Sequence, residues 1–223
     1  MQIDHTDALL FDLDGTLIDT VDLILRSYHH TVGVHGYRPL PDEEWLKTLG
    51  IPLRIQFRAF TQEPDEIEAM ISTYVEHNLE HHDALVLEYP GVRDAVASFS
   101  EAGYRLAVVT SKMHGSLERG LERGGYDGLF EVLIGADDVV NAKPHPEPVL
   151  MALDKLGVAA ERAVFLGDSP HDMASGKAAG VRVGAVMWGP FSREELAGSE
   201  PDYWLESPAD LQRFLPKPQH FKL

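Results

Sequence analysis

Cysteine is absent from the 223 residues. That excludes disulfides, thiolate catalysis and cysteine-ligated zinc or iron–sulfur centres. Basic residues are scarce, with 19 Lys and Arg against 36 Asp and Glu and a formal net charge of −17. Such a surface repels phosphate backbones and anionic lipid, so neither nucleic acid nor membrane is an expected partner. A small anionic substrate would have to be gathered by local cations or a metal. No apolar run approaches the ~20 residues needed to cross a bilayer. Met1–Asp7 contains no basic stretch followed by an apolar one, so no secretory leader is expected. A soluble cytoplasmic protein is the expectation. What remains is ordinary globular composition, 44% hydrophobic and 25% charged, in a chain long enough for one or two domains with a sizeable core.

Short, continuous apolar runs mark strands buried on both faces of a parallel sheet. They occur at Ala8–Phe11, Arg105–Val109, Glu131–Ile134, Ala163–Leu166 and Val181–Met187, and more weakly at Asp202–Leu205. Helical patterns at Val92–Ala102, Ser116–Gly124, Glu147–Leu156 and Met173–Ala179 alternate with them. Alternation of this kind predicts βαβ units and a Rossmann-like, mostly parallel α/β sheet. The segment after the first strand breaks the rule. It reads as successive helices at Val21–His35, Asp42–Thr48, Leu53–Phe60 and Asp65–His82, with Pro41, Pro52 and Pro64 at helix starts. An all-helical cap over residues 20–87 is therefore expected, inserted into a core made of residues 1–19 and 88–223. The tail, Pro216–Leu223, has two prolines and no periodicity and is expected to fray.

Ligands of open α/β sheets bind beyond the carboxyl ends of the strands. Here those ends carry Asp12 and Asp14, Thr110 and Ser111, Gly167-Asp168-Ser169 with Asp172, and a loop with Asp137, Asp138 and Lys143. Clustered carboxylates raise one another's pKa unless a counter-charge is present. Mg²⁺, which pairs one or two carboxylates with phosphate oxygens, resolves that conflict. The spacing of Asp12 and Asp14 suits two roles, one carboxylate attacking phosphorus and its neighbour exchanging a proton with the leaving oxygen. Thr110 would hydrogen-bond the transferring phosphoryl group and Lys143 would offset its charge.

Asp12-Leu13-Asp14-Gly15-Thr16-Leu17, Val108-Val109-Thr110, Lys143-Pro144-His145-Pro146 and Gly167-Asp168-Ser169 with Asp172 resemble, in order, the four motifs of the haloacid dehalogenase superfamily. The resemblance spans about Ala8 to Gly184, and the helical insert is similar to the C1-type cap. Leu49-Gly50-Ile51-Pro52-Leu53 and the run from Lys143 to Pro148 are similar to phosphoglycolate phosphatases and related pyrophosphatases. By that resemblance Asp12 is the nucleophile, which forms an aspartyl-phosphate, and Asp14 the general acid and then base. Mg²⁺ is held by Asp12, the Asp14 backbone carbonyl and Asp168, with Asp172 beside it or in contact, and Thr110 and Lys143 fall on the threonine/serine and lysine positions. Dehalogenase members lack the second aspartate, so Asp14 favours phosphate chemistry. The expected activity is hydrolysis of a small anionic phosphorylated metabolite, first of all 2-phosphoglycolate. Alternatives are pyrophosphate or sugar-phosphate hydrolysis, a phosphomutase, or a non-catalytic binding module.

Lesser signals have plainer readings beside the functional ones. Ser111 and Ser169 can touch phosphate or loop backbone. Asp19 is expected to fix the entry to the cap, and Asp137 and Asp138 to form a turn. His77, His81 and His82 share one cap helix but are better explained as surface residues than as a zinc site. Arg54, which follows the compact Gly50-Ile51-Pro52 turn, is the expected cap cation for a substrate carboxylate or second phosphate. Monomer and homodimer are both compatible with the sequence.

Overall fold

The computed structural model describes residues 6–215, so the expected frayed tail over 216–223 and most of the stretch over 1–7 lie outside the described residues. Six strands form one sheet: β1 (Ala8–Phe11), β4 (Arg105–Val109), β5 (Val132–Ile134), β6 (Ala163–Gly167), β7 (Arg182–Val186) and β8 (Tyr203–Leu205). Their order is β5-β4-β1-β6-β7-β8 and every pairing is parallel. β1 lies centrally, with Leu10 opposite Ala107 on one side and Phe165 on the other. This is the expected parallel α/β core.

Both sheet faces are covered, which is why the strands read as unbroken apolar runs. Ala8 and Leu10 face the same way as Ala107, Val109 and Phe165, towards α7 (Glu147–Leu156) and α8 (Pro170–Ala178). Leu9 and Phe11 join Leu106, Val108 and Leu166 against α5 (Val92–Glu101) and α6 (His114–Arg123). The short helix α9 (Arg193–Ala197) follows β7. α8 begins three residues before the periodicity suggested, because Ser169 caps it and Pro170 occupies its first turn.

The cap holds α1 (Val21–Val34), α2 (Asp42–Leu46), α3 (Leu53–Phe57) and α4 (Pro64–Leu85). α2 and α3 are shorter than expected, and the left-handed Gly50 (φ 84°) turns the chain between them. Two short strands were not anticipated. β2 (Ile18–Asp19) pairs antiparallel with β3 (Leu87–Glu88), so the chain leaves for the cap and returns through one two-stranded stem. No helix among the described residues is long and apolar enough to cross a membrane.

Aromatic packing holds the cap helices together. Trp45 of α2 is buried and lies parallel to Tyr28 of α1 at 4.2 Å, and Tyr28 also meets Phe57 and Tyr74. Offset aromatic pairs contribute about 0.5–1.5 kcal/mol beyond their area burial. Trp45→Ala should destabilise the protein by roughly 3–5 kcal/mol. At about 2–4 °C per kcal/mol for a chain of this size, the melting temperature should fall on the order of 10 °C. Trp45→Phe should lose less than half as much. An unchanged thermal transition in Trp45→Ala would mean that this stack does not hold the cap.

Candidate active site

β1 and β6 are adjacent, so their carboxyl ends bring Asp12 and Asp168 together. Asp172 joins them from the first turn of α8, where Ser169 N–H and Oγ–H donate to its Oδ2 at 3.0 and 2.6 Å. One carboxylate oxygen from each of Asp12, Asp168 and Asp172 lies within 4.8 Å of the others, and all three residues are buried. Among the described residues no other histidine or carboxylate group has this arrangement. His77 and His81 stack with each other, His77 also stacks on His30, and His82 is fully buried rather than on the surface.

Lys143 is the buried counter-charge. Its ammonium donates to Asp172 at 2.6 Å and to the Val109 carbonyl at 3.2 Å, and lies 3.0 Å from Asp12. Burial works against the lysine charge, but Asp12 and Asp172 outweigh it and raise its pKa. One ammonium does not balance three carboxylates. Burial, and then the Asp172 charge, push Asp12 up to about 7. Asp168 is raised well above the usual range by burial and by Asp172 and Asp12, with the Thr16 hydroxyl opposing the shift through a 2.9 Å hydrogen bond. An all-oxygen, negatively charged and deeply set donor group of this kind fits a hard divalent cation. Gly15 permits the close approach: a Cβ there would sit 2.6 Å from the Asp168 carboxylate, and its φ is +75°.

Asp12 Oδ1 accepts the Leu13 N–H at 2.7 Å and faces Lys143, while Oδ2 has no hydrogen bond among the described residues. The Asp14 side chain turns away from the buried trio. Thr20 donates to its Oδ1 at 2.6 Å, and the Lys112 ammonium lies 2.9 Å from the same oxygen. Thr110 is buried, and its Oγ1 accepts the Lys112 N–H at 3.2 Å.

A cavity of about 130 Å³ lies between the sheet edge and the cap. Asp12, Asp14, Asp168, Thr110, Ser111 and Lys112 line its floor, and Tyr28, Gly50, Gln56, Tyr74 and Asn78 line the cap side. Ser111 donates to the Gly50 carbonyl at 2.8 Å, so it ties core to cap rather than standing free for phosphate. Asp19 accepts the Val21 N–H at the start of α1, Asp138 accepts the Gly135 N–H within a tight turn, and Asp137 accepts the His114 N–H at the start of α6.

Arg54 is not brought to the cavity. It is half-exposed and paired with Glu68 of α4, because the face of α3 that carries it turns outward. The cation that does line the cavity is Lys112, which the sequence reading passed over. Its signal was its position two residues after Thr110, beyond the end of β4, in a chain that must collect anions with few cations.

Fold and site define a capped α/β hydrolase. The chain belongs to the haloacid dehalogenase-like hydrolase family, whose profile matches residues 9–186. It is 42% identical over 211 residues to the pyrophosphatase PpaX of Anoxybacillus flavithermus, spanning 95% of this chain and 97% of that one. A solved candidate phosphoglycolate phosphatase from Lactobacillus plantarum superposes with a TM-score of 0.84 at 26% identity, over 94% of this chain and 99% of that one. A candidate haloacid dehalogenase-like hydrolase from Bacteroides fragilis superposes with a TM-score of 0.85 at 26% identity, over 91% and 97%.

The raised Asp12 pKa gives metal binding a direction with pH. A proton held by Asp12 below about 7 must leave before a cation binds. Calorimetry should therefore show Mg²⁺ binding about tenfold more weakly at pH 6 than at pH 8, with proton release on binding. Without metal, the native state holds a proton near neutrality that the unfolded chain has lost, so stability should fall as pH rises from about 4 to about 7. Mg²⁺ affinity that does not change with pH would refute the assignment of these carboxylates as ligands.

Proposed function

We propose that this protein is a Mg²⁺-dependent phosphatase that hydrolyses inorganic pyrophosphate through an aspartyl-phosphate on Asp12. The observation that carries the reading is the small, capped cavity beside the unbonded Asp12 oxygen. Its volume of about 130 Å³ is well under the ~300–1,000 Å³ typical of pockets for drug-sized ligands. A leaving group the size of phosphate or glycolate suits it. Similarity over nearly the whole chain to a pyrophosphatase favours phosphate as that group. Arg54, expected to hold a substrate carboxylate or a second phosphate, is engaged with Glu68 and favours neither substrate. 2-Phosphoglycolate stays as the second reading, on the likeness to the Lactobacillus plantarum protein.

The steps follow from the side chains. Asp12 Oδ2 attacks phosphorus, the bond to the bridging oxygen breaks, and Asp14 gives that oxygen a proton. Asp14 then takes a proton from a water that attacks the aspartyl-phosphate, releasing phosphate and restoring Asp12. Thr110 holds a phosphoryl oxygen, and Lys143 keeps Asp12 and Asp172 in place and offsets their charge. Mg²⁺ would be held by Asp12, Asp168 and the Asp14 backbone carbonyl with Asp172 alongside, and when bound it neutralises carboxylate and phosphoryl charge together. Closure of the cap keeps bulk water from the reacting centre.

Phosphate release should be measured with pyrophosphate, 2-phosphoglycolate and a set of sugar phosphates, in wild type and in Asp12→Asn. Wild type should show its highest kcat/KM on pyrophosphate. Asp12→Asn should lose several orders of magnitude, as expected on removing a nucleophile, with an unchanged fold by circular dichroism. Preference for a sugar phosphate, or a fully active Asp12→Asn protein, would overturn the reading.

A further inference from the structure

Two cations lie near the reacting centre, and they are used differently. Lys143 is consumed by Asp12, Asp172 and a backbone carbonyl. Lys112 is the one lysine or arginine lining the cavity among the described residues. Its Nζ is buried and makes no hydrogen bond. Asp14 Oδ1 stands 2.9 Å away, out of line for one, and already accepts from Thr20. An ammonium has three N–H donors, and leaving them unmatched in a buried place is costly. The backbone beneath is fixed on both sides, since Lys112 N–H donates to Thr110 and the Lys112 carbonyl accepts from Ala136 at 2.8 Å. The site thus presents a preorganised buried cation whose donors face the cavity beside Asp14.

Its place tells which part of a substrate it meets. The transferring phosphoryl group goes to Asp12, where Lys143 and the carboxylate trio sit. The departing half goes to Asp14, and among the described residues the polar side chains on the cap side there are Thr20, Tyr28, Gln56, Tyr74 and Asn78, all uncharged. An anionic leaving group finds its positive partner in Lys112 alone.

We propose that Lys112 is the specificity-determining residue of this site, binding the charged leaving half of the substrate and selecting anionic leaving groups over uncharged ones. This rests on Asp12-centred phosphoryl transfer as proposed above, but not on pyrophosphate in particular.

The test compares pyrophosphate, 2-phosphoglycolate and ethyl phosphate, whose ethyl half is uncharged and leaves as neutral ethanol once Asp14 protonates it, in wild type, Lys112→Met and Lys112→Arg. Lys112→Met should lower kcat/KM for the two anionic leaving groups by about 10- to 150-fold, mostly through KM, as expected for a lost hydrogen bond to a charged group. Ethyl phosphate should change less than about threefold, and Lys112→Arg should recover most of the loss, since the positive charge is retained. Equal losses on all three substrates would overturn the proposal and make Lys112 a positioning residue for Asp14. A wild type that hydrolyses 2-phosphoglycolate but not pyrophosphate would refute the pyrophosphate reading and leave this comparison intact. Calorimetry on the Mg²⁺-loaded protein gives a readout free of turnover. Lys112→Met should weaken methylenediphosphonate at least about tenfold while leaving inorganic phosphate nearly unchanged, by the same loss of a charged contact. Parallel weakening of both ligands, or of neither, would overturn the proposal.

Discussion

Asp12, Asp168 and Asp172 crowd around a single ammonium where water scarcely reaches, each of the four residues being 5% exposed or less. Buried charge is tolerated only when paired and hydrogen-bonded, and here the pairing falls short of neutrality. Much of the molecule serves to hold that imbalance. Two central parallel strands deliver Asp12 and Asp168 side by side, and the capped first turn of α8 clamps Asp172 between Ser169 and Lys143. Glycine at position 15 lets the first loop fold against Asp168 without a Cβ in the way. A divalent cation held by these carboxylates would relieve the excess, which would couple stability and activity at one point.

The cap has the opposite character. It is held by aromatic faces rather than charge, and it meets the core through few polar links, of which the Ser111–Gly50 hydrogen bond lies directly at the cavity. The left-handed Gly50 carries that link over the site. Positioning is thus rigid on the sheet side, where bonds are made and broken, and lighter on the side that must admit and release ligand.

Much of this was legible in the amino-acid order because it is local or periodic. Unbroken apolar runs marked the parallel strands, and polar residues just past them marked the site, since strand ends converge whatever the detailed packing. What was not legible depends on partners distant in sequence. Arg54 and Lys112 are both cations beside a turn, and spacing does not reveal that Glu68, on another helix, draws the first away while the second is left over the cavity. The β2–β3 pair was missed because two residues are too few to show alternation. His82 was expected on the surface, but its helix continues to Leu85 and buries it against the core.

That two-residue pair has a consequence for how such chains diversify. Ile18 lies opposite Glu88 and Asp19 opposite Leu87, so the insert begins and ends at neighbouring points. A segment with adjoining termini imposes almost no constraint on the register of the sheet it interrupts. Its length and helical content can change while Asp12, a few residues upstream, stays beside Asp168 on the neighbouring strand. The stem works as a socket: one chemistry on the sheet side can be fitted with different covers.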